Sequence, residues 1–107
     1  MSSEVKVIQP SGRLDVTTAA EFRRQVNDIA LSANSPKYLL VNLQDISFMD
    51  SSGLGALVSA LKLIRNSNGE MIICAANDQV KMLFELTSMN KIFKIYPTID
   101  EFNATIS

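Results

Sequence analysis

The residues best placed to do chemistry lie together at Asp50-Ser51-Ser52-Gly53-Leu54-Gly55. They follow the apolar run Tyr38-Leu39-Leu40-Val41-Asn42-Leu43, a polar break at Gln44-Asp45, and Ile46-Ser47-Phe48-Met49. An apolar-periodic helix runs on from about Ser52 to Asn66. A carboxylate and two hydroxyls therefore fall at a strand-to-helix junction. The first amides of a helix lack partners and its dipole is positive there, so negative charge is favoured. On the residues alone two readings stay open. One is an ordinary N-cap, since Asp and Ser are preferred caps; the other is a phosphoacceptor serine or an anion site. Gly53 and Gly55 lower helix propensity in the first turns, but they leave the surface open to another molecule.

Other chemistry is scarce. The chain has no histidine, which removes Ser-His-Asp and Cys-His pairs and the usual zinc ligand sets. It has no Walker A loop, no GxGxxG and no clustered carboxylate pair, so an enzyme is not expected. The single cysteine, Cys74, cannot form an internal disulfide, which fits a reducing cytoplasm. With no basic neighbour it reads as a small core residue. The 107 residues are 47% hydrophobic and 20% charged, which excludes wholesale disorder and fits one domain over residues 1–107. A net charge of −1 without a Lys/Arg run gives no nucleic-acid surface. There is no signal-peptide pattern and no apolar run of membrane-spanning length, so no membrane insertion is expected.

The elements that would position the motif follow from periodicity. Val5–Gln9 alternates as a strand, Pro10-Ser11-Gly12 breaks it, and Arg13-Leu14-Asp15 resumes it near a sheet edge. Thr18 and Glu21 fit a capping box. It opens a helix of about 14 residues whose inner stripe is Phe22, Val26 and Ile29, with Ala19 and Ala30 nearby. Ser32-Ala33-Asn34-Ser35-Pro36 ends that helix. In the helix after the motif, Leu54, Leu57, Val58, Leu61 and Ile64 form a core stripe, and Gly55, Ser59, Lys62 and Asn66 a polar strip. A third row, Ala56, Ala60 and Leu63, is also apolar; it is either covered by a neighbouring helix or kept for a partner. After a turn at Asn66–Gly69, Met71–Ala76 is a second apolar run, whose strand at Met71–Ala75 is expected to pair in parallel with Tyr38–Leu43. Asn77 or Asp78 caps a helix with Val80, Leu83 and Phe84 inward, and Ile92–Tyr96 is strand-like. Thr98 and Glu101 form a second capping box before a last helix with Ile99, Phe102 and Ile106 inward. This alternation predicts an α/β fold with right-handed crossovers and the Ser-rich loop at the carboxyl end of a middle strand, where such sheets place their sites.

Phe48-Met49-Asp50-Ser51-Ser52-Gly53-Leu54-Gly55 resembles the signature of the STAS domains, in particular the bacterial anti-sigma factor antagonists. Gly12-Arg13-Leu14-Asp15 is similar to the family's Gly-x-Leu-Asp, which ends a strand beside the phosphorylation site; without that resemblance Asp15 reads as a turn residue before a helix. Leu83-Phe84-Glu85-Leu86-Thr87-Ser88-Met89 resembles Leu-Phe-x-x-(Ser/Thr)-Gly-Leu, with Ser88 and Met89 in place of the glycine and leucine. Loss of that glycine is expected to weaken the helix stop. The family's usual extra first strand is expected to be shortened or missing, since only Met1-Ser2-Ser3-Glu4 precede Val5.

The resemblance runs from about Val5 to the C-terminal helix. It implies the STAS fold: a mostly parallel sheet of about four to five strands with about four helices packed on it. It also implies a partner-switching module. The unphosphorylated form binds an anti-sigma factor or related serine protein kinase. The kinase then phosphorylates the serine directly after the motif's aspartate, here Ser51 with Ser52 as the alternative, and binding is lost. A metal-dependent, PP2C-type serine phosphatase restores it. Asp50, Asp15 and Gly53 would be site neighbours, and Ser52, Gly53, Leu54, Gly55, Ala56 and Leu63 would meet the partner. No cofactor of its own is implied. Two other functions stay open: an unregulated STAS module serving lipid or anion transport, and a nucleotide-binding protein using the Ser-rich loop. The missing His and missing phosphate-loop Lys argue against the second.

Overall fold

The computed structural model describes residues 5–32 and 35–106; Met1–Glu4 and the turn formers Ala33-Asn34 lie outside them. The apolar run after Lys37 forms β3 (Tyr38–Asn42), flanked by β1 (Val5–Ile8) and β5 (Glu70–Cys74), with β6 (Lys94–Tyr96) beyond β5. All neighbours in this four-stranded sheet are parallel, and the β3–β5 register pairs Leu39 with Met71 and Val41 with Ile73. Parallel pairing needs helical crossovers, which cover both faces. On one face Leu39, Val41, Met71 and Ile73 join the main core with Phe22, Val26, Leu57, Leu61, Ile64 and Phe84. On the other, Leu40, Ile72 and Cys74 pack on Phe102, with Tyr38 and Tyr96 edge-on to its ring. Because both faces are buried, these runs do not alternate.

The helices are α1 (Ala19–Ala30), α2 (Ser51–Asn66), α3 (Asp78–Leu86) and α4 (Ile99–Ile106), with a 3₁₀ turn at Met89–Lys91. Helix α1 buries Ala19, Phe22, Val26 and Ala30, leaving Ile29 half-buried, and has 12 residues. Thr18 precedes it, but its hydroxyl makes no cap bond; it accepts from the Asp15 amide at 3.0 Å and donates to the Arg13 carbonyl at 2.8 Å. Glu21 is held by Arg24. The expected capping box is thus replaced by a turn that ties α1 back to Arg13 and Asp15. At α4 the Thr98 hydroxyl does cap, accepting from the Glu101 amide at 3.1 Å. Of the three α4 residues expected to point inward, Phe102 is buried and Ile99 packs half-buried beside it, whereas Ile106 is 39% exposed.

The segment after Ile8 does not rejoin the main sheet. Pro10 offers no amide to the ladder, Gly12 takes φ +80°, and the register slips between Gly12 and Arg13. β2 (Gly12–Leu14) then pairs in parallel with β4 (Ile46–Met49) as a separate two-stranded sheet. The Gln44-Asp45 break is the point of departure, where the Gly12 amide bonds the Asp45 carbonyl at 2.9 Å. This small sheet ends directly at the start of α2. Its Leu14 carbonyl accepts from the Asp50 amide at 3.3 Å and would lie 2.1 Å from any Cβ placed on Gly53.

Two outcomes test this packing by urea denaturation. Gly53→Ala would force its methyl into backbone and should cost about 3 kcal/mol or more. Gly55→Ala meets only the flexible end of Arg23 at 3.6 Å, and should be neutral or gain up to about 1 kcal/mol in helix propensity. Equal effects at the two positions would contradict the described approach of β2 to α2. Ser88 occupies the left-handed region at φ +61°. Ser88→Gly should therefore stabilise the fold by about 0.5–1 kcal/mol, the relief of a strained L-residue less the entropy glycine adds to the unfolded chain; loss of stability would show that the turn is unstrained.

Candidate functional site

Asp50 takes extended backbone angles and caps α2, its Oδ1 accepting from the Ser52 amide at 2.9 Å and the Gly53 amide at 3.1 Å. The cap reading of the motif thus holds at Asp50. Asp50 is the cap, and Ser51, the first residue of α2, is exposed. Among the described residues the Ser51 hydroxyl has no hydrogen-bond partner. Ser52 is half-buried with its amide committed to Asp50. Two of the amides at the helix start are therefore occupied by a carboxylate of the chain itself.

Asp15 follows Leu14, and Asp50 follows Met49. The β2–β4 register pairs Leu14 with Met49, so the two aspartates leave the small sheet side by side. Asp15 accepts from the Thr17 hydroxyl at 2.6 Å and the Thr17 amide at 3.0 Å, and Arg13 Nε donates to it at 3.2 Å. The Thr17 bonds first, and Arg13 after them, hold the Asp15 carboxyl below its ordinary value, so it is ionised at neutral pH. Arg13 also lies over the Phe48 ring, 4.4 Å from its centroid. Val16, at the tip of this turn, is 73% exposed.

The partner surface expected on α2 needs correction. Ala56 has no exposed surface, and Gly53 and Leu54 are buried too. Leu63 is half-buried against the main core. The third apolar row is covered by α1, whose Ala19, Phe22, Val26 and Ala30 share its cluster. What stays open on α2 near the motif is Ser51, Ser52, Gly55 and Ser59, a line of helical neighbours with the Arg23 guanidinium lying against Gly55.

Sequence reasoning missed the residues that hold the site from below. The Gln79 side-chain amide accepts from the Met49 amide at 2.9 Å and donates to the Met49 carbonyl at 2.8 Å. Asn77 caps α3 through the Val80 amide at 2.9 Å while its Nδ2 donates to the Ile46 carbonyl at 3.1 Å. A polar pair at a helix start reads as capping alone; only the tertiary fold reveals what else it touches. Cys74 is fully buried, and burial pushes its thiol up, so it stays protonated and inert.

Among the described residues no group of Cys, Asp and Glu could hold a metal ion, and no helix is long and apolar enough to cross a membrane. A concavity of about 760 Å³ runs between β1 and α1 and is lined by none of Asp50–Gly55.

Comparison with known proteins agrees with this geometry. The STAS domain family model matches residues 2–102. The anti-sigma F factor antagonist of Paenibacillus polymyxa is 35% identical over 92 residues, covering 86% of this chain and 78% of that protein. The anti-sigma-B factor antagonist of Staphylococcus aureus is 34% identical, covering 86% and 81%. The crystal structure of a candidate anti-sigma factor antagonist from Thermotoga maritima superimposes with TM-score 0.86 at 29% identity, covering 95% of this chain and 86% of that one. With its parallel sheet, its helices and its Asp-Ser-Ser-Gly junction at the start of α2, this chain belongs to the STAS domain family.

Proposed function

We propose that this protein is an anti-sigma factor antagonist whose binding is switched by phosphorylation of Ser51. The observation that carries the reading is the division of labour at the motif: Asp50 satisfies the helix start, while Ser51 next to it presents an exposed hydroxyl that nothing in the described chain engages. Relatives at 35% and 34% identity named as antagonists of anti-sigma factors support it. The partner is an anti-sigma factor or related serine protein kinase, which supplies ATP and metal; a PP2C-type phosphatase reverses the modification. The protein is then a substrate and not an enzyme, acting as one domain in the cytoplasm.

The switch needs no refolding. A phosphoryl group adds about −1.5 to −2 charge. Asp50 has already taken the Ser52 and Gly53 amides, so those two donors cannot absorb that charge. It stands beside the carboxylates of Asp50 and Asp15, on a surface that in the unmodified state offers small neutral residues with the Arg23 guanidinium against Gly55. A partner shaped to that surface must accept a buried, unpaired dianion, and each 1.4 kcal/mol of mismatch weakens binding about tenfold. The occupied amides also weigh against nucleotide binding by the Ser-rich loop.

Two outcomes check the reading against the serine kinase that the unmodified protein captures, identified by mass spectrometry. Ser51→Ala should abolish phosphate incorporation from ATP and leave binding intact, whereas Ser51→Asp should bind with intermediate affinity, since one carboxylate carries about half the charge of the phosphate. Incorporation that persists at Ser52 would move the acceptor by one residue, and none in the wild type would make this an unregulated binding module. Ser59→Glu, on the open line of α2, should weaken kinase binding at least about tenfold, ~1.4 kcal/mol, with an unchanged melting temperature. Full affinity in that variant would place the docking face elsewhere.

A further inference from the structure

We propose that Gln79 of α3 is a positioning residue for the phosphoacceptor, acting through the backbone of Met49; this rests on Ser51 being that acceptor. Among the described residues β4 has one strand neighbour, β2. Its other side faces α3, where no strand is available to take the Met49 amide and carbonyl. Met49 has no exposed surface, so water cannot serve them, and buried backbone groups must be paired. The Gln79 amide pairs both, at 2.9 and 2.8 Å, as one residue of a missing strand would. The next residue is held from the opposite side, the Asp50 amide reaching the Leu14 carbonyl at 3.3 Å. The chain is therefore clamped from both flanks immediately before Ser51.

Ser51 makes no side-chain hydrogen bond of its own among the described residues, so its hydroxyl is aimed only by the backbone that carries it. Phosphoryl transfer depends on in-line placement of the attacking oxygen, and an error of about 1 Å costs on the order of a hundredfold in rate. Partner affinity draws on a wider surface. Loosening Met49 should thus act on turnover more than on binding.

Gln79→Met keeps the side chain's bulk and removes both bonds. Gln79→Glu keeps the acceptor for the Met49 amide and removes the donor to its carbonyl. Amide exchange by NMR on the unmodified protein should be at least about tenfold faster at Ser52 and Gly53 in Gln79→Met, with Ile72 and Ile73 of β5 as protected as in the wild type. Gln79→Glu should fall between. With the captured kinase, kcat for Ser51 should drop at least about tenfold in Gln79→Met while KM stays within about twofold. Unchanged exchange at Ser52 and Gly53 would overturn the proposal. So would acceleration only in step with Ile72 and Ile73, or a rise in KM with kcat retained. Exchange requires no kinase. A chain that no kinase modifies would sink the proposed function and leave exchange alone to decide whether Gln79 fixes the junction.

Discussion

Backbone meets backbone where β2 ends and α2 begins, and the rest of the site depends on that contact. The Leu14 carbonyl bonds the Asp50 amide and occupies the space that a side chain on Gly53 would need. Only glycine permits the approach. Because of it, Asp15 and Asp50 emerge together, Asp50 can turn its carboxylate onto the Ser52 and Gly53 amides, and Ser51 is left at the surface. The motif's glycine is thus a steric requirement of the junction; its cost in helix propensity, about 1 kcal/mol, is small beside the clash that any Cβ would bring.

The main sheet is a platform for this junction. β3 and β5 are buried on both faces and carry the largest share of fully buried side chains. The small β2–β4 sheet carries the candidate site. Leu14, Ile46 and Met49 seat it in the main core, and polar contacts hold its flanks, from Gln79 and Asn77 of α3 on one side and from the β2–α1 turn around Asp15 and Thr18 on the other. Ser51 itself is exposed and outside that core, so its charge can change without unfolding the protein.

What was legible in the sequence follows the same division. The parallel β3–β5 pair could be read because an uninterrupted apolar run of five or so residues between turn formers suits a strand buried on both faces. The motif could be read because cap, hydroxyls and glycines are contiguous. The row Ala56, Ala60 and Leu63 was ambiguous, since small apolar residues suit a partner or a second helix equally, and α1 is what covers it. The Thr18–Glu21 box failed because a hydroxyl serves one geometry at a time, and the turn at Asp15 claimed it. Ser88 adopts the left-handed angle its glycine counterpart would, so tertiary context overrode local preference. Gln79 gave no signal, because its partner Met49 is distant in sequence and offers only backbone atoms.

In this mechanism, charge added at Ser51 is enough by itself to break partner binding. The most direct measurement is calorimetric titration of the kinase with two forms of the intact chain, unmodified and carrying phosphoserine encoded at position 51. The modified form should bind at least about a hundredfold more weakly, ~2.8 kcal/mol, with unchanged amide shifts in β3 and β5. Equal affinity of the two forms would refute the switch.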